Sequence, residues 1–588
     1  MSDKMRVRAM MAIVLFALAF TVISGRLVYL QLVCHEKYRD EAIRKQYAVR
    51  PIAPVRGRIL DCQNRVLAQS TPVTDLRIDG KLALENPEGL EPVAHILSMA
   101  PEELRGLVAP EKRDLLIRQE LDSATLEQLK ELKYKPLIFS DRIKRIYPNG
   151  AEASHVVGFT NQVEKTLDEY QTSIQTEQGV FGIEQVFDKY LTGIPGERRI
   201  VLNASRKEIA AYRQYDRQPR NGLDVVLTLD QVVQHVIEEE ADRLCREYSP
   251  KTVSIIVMRP STGEILGITN RPTFDPNDRK TMEPISNLRD CAITDIYEPG
   301  STFKIVTSAA VLSEGIVGLD TPIFCENGSF FYAGQELKDT SPHGTLPFRE
   351  ALKVSSNIAF AKLGLALGEE RLYRQIRLMG FGDCAQNPRL ALPGEQKGIL
   401  RPTNYWTKLS LTRVPIGYEV GVTNLQMTMA MASIANGGKL MEPVLVKSVM
   451  DPSGRVVKEY LPRVVRQVVT PEVAAQVRQA LEGVVEDGGT GSAARLDKFT
   501  VSGKTGTAWK LVNGSYSGGA YYSSFLGFVP SENPQFLVSI LVDEPQGKVY
   551  YGGKVAGPAF KNIATQVAQQ LNMVPKDPVT MLAKGPKP

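Results

Sequence analysis

The chain has 588 residues, 43% hydrophobic and 23% charged, which is ordinary for a folded protein and leaves room for two or three domains. A formal net charge of +5 is too slight over this length to point to nucleic acid. No phosphate-cradling Gly-x-x-x-x-Gly-Lys loop and no Cys/His cluster at metal-ligand spacing occurs, so neither a nucleotide, a metal nor another cofactor is expected. The six cysteines (Cys34, Cys62, Cys245, Cys291, Cys325, Cys384) are scattered and read as isolated, mostly buried thiols, with a single disulfide left open.

The N-terminus predicts a membrane element. Lys4, Arg6 and Arg8 precede an uncharged run from Ala9 to Gly25, and after Arg26 the apolar pattern resumes as Leu27 to Val33. The run is short for a span, but Arg26 can snorkel and the second stretch extends it. No Ala-x-Ala-like cleavage site follows, so an uncleaved single-pass anchor over 9–33 is expected rather than a signal peptide. The positive-inside rule then puts residues 1–8 in the cytoplasm and the bulk of the chain outside the cytoplasmic membrane.

Cys34 to Gln46 is charged and helix-prone, and reads as a stalk. Val49 to Val55 is extended around Pro51 and Pro54. Strands are expected at Arg56–Asp61 and Val66–Ala68, with mostly short amphipathic helices over 80–135. His155 reads as a packing or capping histidine. Gly179 to Glu184 opens a helix ending near Gly193, so 34–220 is predicted as an α+β module without a catalytic cluster.

A second module is predicted over 221–573. Val225–Leu229 is a strand, and Asp230 caps a long helix reaching about Arg246. Val253–Met258 and Glu264–Thr269 form a hairpin, and a helical middle runs from Ser301 to about Ala435. Strands follow at Phe499–Trp509, Tyr521–Phe528 and Gln535–Val542, then a helix at Gly557–Asn572. Together they predict one antiparallel sheet covered by helices on both faces. The Pro- and Lys-rich tail, 574–588, is expected to be disordered.

The chemistry is expected at Tyr297-Glu298-Pro299-Gly300-Ser301-Thr302-Phe303-Lys304, where a Pro-Gly turn opens an apolar helix. Residues three apart share a helix face, so Ser301 and Lys304 sit side by side. A serine hydroxyl needs a neighbour to take its proton. A lysine can serve only if its pKa drops by roughly three units, about 4 kcal/mol, which burial and a second cation can supply. Two further clusters converge on this pair. Ser355-Ser356-Asn357 joins two helical runs, so Ser355 could relay a proton and Asn357 hold a substrate amide. Ser502-Gly503-Lys504-Thr505-Gly506-Thr507 reads as a strand where another backbone approaches closely. Strict alternation puts Lys504 and Thr505 on opposite faces, so serving one cleft requires an edge strand.

The ordered set Ser301/Lys304, Ser355/Asn357 and Lys504/Thr505/Gly506 resembles the signature of penicillin-binding proteins and class A β-lactamases. With Arg56-Gly57-Arg58-Ile59-Leu60-Asp61 and Gly182-Ile183-Glu184, the chain looks like a class B penicillin-binding protein over roughly residues 9–570. Tyr550-Tyr551-Gly552-Gly553-Lys554-Val555-Ala556 and Pro415-Ile416-Gly417-Tyr418 resemble the septal, FtsI-type branch. The departure is at Cys62-Gln63-Asn64-Arg65, a pedestal turn.

The resemblance implies a membrane-anchored, extracytoplasmic (periplasmic) α+β protein with a pedestal, dimerisation-like module and a penicillin-binding/β-lactamase-like transpeptidase domain. Ser301, Lys304, Ser355, Asn357 and Lys504 would be catalytic, and Thr505, Gly506 and Thr507 would bind substrate. Backbone N–H groups of Ser301 and Thr507 would form the oxyanion hole. The expected partners are peptidoglycan stem pentapeptides on the lipid-linked precursor polymer, β-lactams, and a membrane glycosyltransferase with other division proteins. Two alternatives stand: a D,D-carboxypeptidase or β-lactamase-type hydrolase, and a non-catalytic division scaffold.

Overall fold

The computed structural model describes residues 3–39, 47–109, 112–166, 173–201, 215–383, 390, 392–511, 515–516 and 519–575. Most of the stalk read at Cys34–Gln46, the last cysteine, Cys384, and the tail from residue 576 lie outside the described residues; the five described cysteines are free thiols. The chain divides into two compact units.

The first unit takes residues 1–55, 162–176 and 193–221. Its helical run Asp3–Val33, 31 residues, is long and apolar enough to cross a membrane. A three-stranded antiparallel sheet pairs Tyr47–Ile52 with Gly196–Val201, and the latter with Tyr215–Arg217.

The second unit takes residues 56–161, 177–192 and 222–588. Its first strands are β1 (Ile59–Leu60), β2 (Val66–Ile78), β3 (Leu115–Arg118), β4 (Leu137–Ile146) and β5 (Asp224–Leu227). β2 runs far beyond the expected Val66–Ala68. Its polar half, Gln69 to Asp75, lies beyond the strand the sequence predicts, yet every residue there has a partner in β4. Pairing outweighs composition at this position, and the same holds for β3 inside a region read as helical.

Asp230 accepts from the N–H groups of Val232 and Val233 and starts α1 (Gln231–Tyr248), as expected. β6 (Thr252–Arg259) and β7 (Glu264–Arg271) form the hairpin. The segment 297–303 leads into α2 (Lys304–Ser313). The stretch to Ala435 is not wholly helical: Pro322–Phe324 pairs with Thr345–Pro347, and Ser329–Tyr332 with Gln335–Lys338. The second hairpin turns on Ala333-Gly334, both with positive φ (47° and 82°), the two-residue geometry that matches strand twist. α3 (Phe348–Lys353), α4 (Asn357–Leu367) and α5 (Asn424–Ala435) follow, then β8 (Val446–Met450), β9 (Val456–Glu459) and α6 (Pro471–Val485).

The late strands are β10 (Ser502–Trp509), β11 (Tyr521–Val529) and β12 (Phe536–Asp543), each within three residues of its expected limits. The last helix, α7 (Gly552–Gln570), starts five residues early, because Gly552 and Gly553 occupy its first turn instead of breaking it.

The two sheets meet different needs. The mixed one has the order β9-β8-β5-β1-β2-β3, with β4 also on β2. The five-stranded antiparallel one has the order β7-β6-β12-β11-β10. On β6, Ile255 and Val257 face a core with Ile237 of α1 and Phe560 of α7, while Ile256 and Met258 face a core with Met427 of α5. Helices on both faces therefore explain the near-continuous apolar run of this strand. His155 is indeed a packing residue: its Nε2 lies 2.8 Å from the Asn287 carbonyl, its ring meets Phe274 edge-on, and burial lowers its pKa to about 4.

The motifs at residues 56 and 184 meet in a buried ion cluster. Glu184 accepts from Arg56 Nε (2.7 Å) and Arg145 Nε (2.6 Å), and Arg56 also reaches Asp188 (2.7 Å). Glu184, Arg56 and Arg145 side chains are at most 3% exposed. Removing one charge from such a group leaves the others uncompensated, at a cost of roughly 3–5 kcal/mol. Glu184→Gln should therefore lower the urea midpoint of the detergent-solubilised protein clearly. An unchanged midpoint would show that the two guanidinium groups need no counter-charge.

Candidate active site

Pro299 and Gly300 place Ser301 at the mouth of a helix. Gly300 has φ +54° and a Cβ there would lie 2.8 Å from the Ala508 Cβ, so only glycine fits between this turn and β10. Its N–H donates to the Gly417 carbonyl (3.1 Å), and the Thr302 hydroxyl donates to the Pro299 carbonyl (2.8 Å). Phe303, Ile305 and Val306 are buried and fix the helix beneath. Ser301 remains part-exposed, whereas Lys304 is fully buried.

The Ser355–Asn357 loop receives the Lys304 side chain. Lys304 Nζ donates to the Ser355 carbonyl (2.6 Å), Asn357 Oδ1 (2.9 Å) and Ser355 Oγ (3.1 Å). Ser355 itself is left-handed, φ +59°, a conformation that costs a non-glycine residue of order 1–3 kcal/mol. Ser356 caps α4 through the Ala359 N–H (3.1 Å). From the opposite side Lys504 Nζ donates to the same Ser355 Oγ (2.9 Å) and to the Thr505 carbonyl (3.2 Å).

Electrostatics follow from this crowding. Burial, then the neighbouring Lys504 charge, hold the Lys304 amine well below its ordinary range against the pull of Asp339. Burial alone lowers Lys504 to about 7. The site therefore holds less than its full positive charge near neutral pH.

The expected conflict on β10 is resolved by its position at the sheet edge, paired with β11 on one side. Lys504, Gly506 and Ala508 face the Ser301 turn; a Cβ on Gly506 would come within 2.8 Å of Thr302 Cγ2. Thr505 and Thr507 face α7: their hydroxyls meet Thr490 Oγ1 (2.7 Å) and accept from the Gly552 N–H (2.9 Å). Both sets flank the free strand edge. Ser301, Ser355, Asn357, Thr505 and Thr507 line one open cleft of about 620 Å³, with Lys304 and Lys504 behind its wall.

Residues 253–565 match the family model described as penicillin binding protein transpeptidase domain, and residues 51–227 match the penicillin-binding protein dimerisation domain. The chain is a class B penicillin-binding protein. Its enzyme class is serine-type peptidoglycan D,D-transpeptidase. It is 32% identical to stage V sporulation protein D of Bacillus subtilis, over 97% of this chain and 87% of that protein. It is 30% identical to the probable peptidoglycan D,D-transpeptidase PenA of Neisseria meningitidis, over 96% and 93%, and 28% identical to the peptidoglycan D,D-transpeptidase FtsI of Escherichia coli, over 96% and 91%. Among solved structures, penicillin-binding protein 3 of Mycobacterium tuberculosis complexed with aztreonam superposes with TM-score 0.66 at 26% identity, covering 90% of this chain and 99% of that one. Penicillin-binding protein 2X of Streptococcus thermophilus shares the fold at TM-score 0.74 and 21% identity, over 90% and 80%.

Several residues around the transpeptidase cleft take roles that the sequence does not assign them. Asp339 anchors the serine–asparagine loop: it accepts from Ser356 Oγ (2.6 Å) and from the N–H groups of Asn357 (2.5 Å) and Ile358 (3.1 Å). It directly follows the hairpin strand Gln335–Lys338, in no recognisable motif. Trp509, Tyr521, Tyr550 and Tyr551 form a ring series along the cleft, with successive centroids 4.7, 3.9 and 4.6 Å apart. Glu298, just before the turn, accepts from the Glu419 N–H (2.8 Å) and the Tyr516 hydroxyl (2.9 Å), and burial raises its pKa.

Hydrogen bonds from neutral donors to a carboxylate contribute roughly 1.5–3 kcal/mol each. Asp339→Ala should thus lower the unfolding midpoint and cut transpeptidase turnover at least about tenfold, and Asp339→Asn should do less of both. Full turnover in the alanine variant would remove Asp339 as the loop's anchor.

Proposed function

We propose that the cleft performs acyl transfer through an ester on Ser301, and the observation that carries this reading is the buried Lys304 amine held one turn from Ser301 with Lys504 across Ser355. Neutral Lys304 takes the Ser301 proton as Oγ attacks the carbonyl between the two terminal D-alanines of a stem pentapeptide. The backbone N–H groups of Ser301 and Thr507 stabilise the oxyanion, typically about 3 kcal/mol per donor. Ser355 and Lys504 carry the proton to the departing D-alanine amine. Thr505 and Thr507 hold its carboxylate, Asn357 holds the substrate backbone, and Gly506 lets that backbone approach. An amine from a neighbouring stem peptide then takes the acyl group and releases Ser301. β-Lactams acylate Ser301 in place of the peptide, a reading supported by the aztreonam and ampicillin complexes of the M. tuberculosis relative.

In the same proposal residues 9–33 anchor the chain with residues 1–8 cytoplasmic, 34–220 serve as the pedestal and 221–573 as the transpeptidase domain. The setting is septal wall synthesis beside a membrane glycosyltransferase and other division proteins. Likeness to FtsI and PenA supports this, while the sporulation relative names a competing setting. Depleting the protein from growing cells should give filaments. Normal division with a defect confined to sporulation would overturn the septal assignment.

Fluorescent penicillin should label the solubilised wild type and not Ser301→Ala; equal labelling of both refutes the nucleophile. Stem pentapeptide should give cross-linked product when an amine acceptor is supplied, and D-alanine release without any cross-link would favour a hydrolase. The pH profile of acylation has a predictable shape. A group with a lowered lysine pKa is charged below it and neutral above it, so the rate rises as Lys304 loses its proton and falls above about pH 7 as Lys504 loses its own. In Lys504→Ala the alkaline fall should vanish. A wild-type profile flat from pH 5 to 9 would contradict both roles.

A further inference from the structure

The wall of the cleft that holds Thr505 and Thr507 is made by α7 and the segment around Thr490. Gly552 bonds Thr507, and Lys554, two residues on, lines the same cleft with an exposed side chain. Two of the cleft's lining residues are ionised as a rule, Lys554 and Asp339. The Asp339 carboxylate is committed to Ser356, Asn357 and Ile358. Lys304 and Lys504 are buried and committed to Ser355 and Asn357. No carboxylate among the described residues pairs with the Lys554 ammonium. The cleft thus carries one uncompensated, water-facing cation, on the wall of the two threonines.

We propose that Lys554 captures the free carboxylate at the end of the acyl donor and delivers it to Thr505 and Thr507, which makes it a specificity-determining residue for carboxylate-terminated ligands. This rests on the Ser301 acyl-transfer reading above. A lysine suits the task because its ammonium is a compact charge on a flexible stem, able to follow an arriving anion. It stands in the first turn of α7, whose positive dipole end adds field of the same sign. Being exposed, it contributes no more than a surface ion pair does, and salt screens it. Its effect therefore falls on the encounter complex and not on the bond-making step.

The test uses the full detergent-solubilised chain and benzylpenicillin, with rapid kinetics separating the dissociation constant of the non-covalent complex from the acylation rate constant. Benzylpenicillin methyl ester serves as the uncharged probe. At low salt Lys554→Ala should raise the dissociation constant for benzylpenicillin about threefold to fivefold, a factor of the size an exposed ion pair allows. Lys554→Glu should raise it further and Lys554→Arg should keep it near wild type. The acylation rate constant and the ester's binding should not move, and the difference between wild type and Lys554→Ala should close near 1 M salt. A changed acylation rate constant, an equal loss for the ester, or no loss at all would overturn the assignment. If wild type is not acylated by benzylpenicillin, the Ser301 reading fails first and this one falls with it.

Discussion

Two lysine side chains donate to one serine hydroxyl in a place water scarcely reaches, and the rest of the site follows from that crowding. Lys304 and Lys504 approach Ser355 Oγ at 3.1 and 2.9 Å, so their nitrogens stand no more than about 6 Å apart. Two full charges at that separation repel by roughly 3 kcal/mol at an effective dielectric near 20, before either is charged for leaving water. Keeping one amine neutral relieves this, and Lys304 is the one whose burial and whose neighbour both act in that direction. Ser355, bonded to both amines, is placed to pass a proton between them. In the proposed mechanism a base and a proton donor thus arise from two identical side chains, distinguished by surroundings alone.

Such an arrangement holds only if the backbone is fixed to within a few tenths of an ångström. Gly300 and Gly506 let the Ser301 turn and the edge strand touch almost backbone to backbone. The strand is straightened from its other side by β11, and the sheet behind is packed on both faces. Ser355 is kept in a left-handed conformation by partners on every side: the Asp339 carboxylate through the next three residues, and the two lysines directly. That strain is borne because the surrounding bonds over-determine the loop.

The parts legible in the sequence are those where local pattern and tertiary role agree. Asp230 before an amphipathic run is a cap in any context, and the apolar strands Val253–Met258 and Gln535–Val542 can only be buried. The serine, asparagine and lysine segments stand out by their order and spacing, and the fold brings them to one cleft. The rest depends on pairing that no window of sequence contains. Gln69–Asp75 is polar and contains Pro72, and becomes strand because Leu137–Ile146 lies beside it. Asp339 and Lys554 are ordinary charged residues until the fold puts one under a loop and the other over a cleft. Even the edge position of Lys504 could be stated from sequence only as a requirement.

The mixed sheet bears on how the two family-model matches relate. They end at residue 227 and begin at residue 253, yet β5, at the end of the first, pairs in parallel with β1 and antiparallel with β8, which lies deep in the second. Arg58 closes the same junction with Asp224 at 2.6 Å, and the Arg56–Glu184–Arg145 cluster lies beside it. Residues 56–161 therefore share backbone hydrogen bonds and buried charge with the segment that carries the cleft. A sheet ladder cannot slide by one residue without turning every buried side chain outward, and a buried ion cluster cannot open without stranding its charges. The part of the pedestal sequence that enters this sheet is thus mechanically part of the catalytic unit, whatever boundary the sequence families draw.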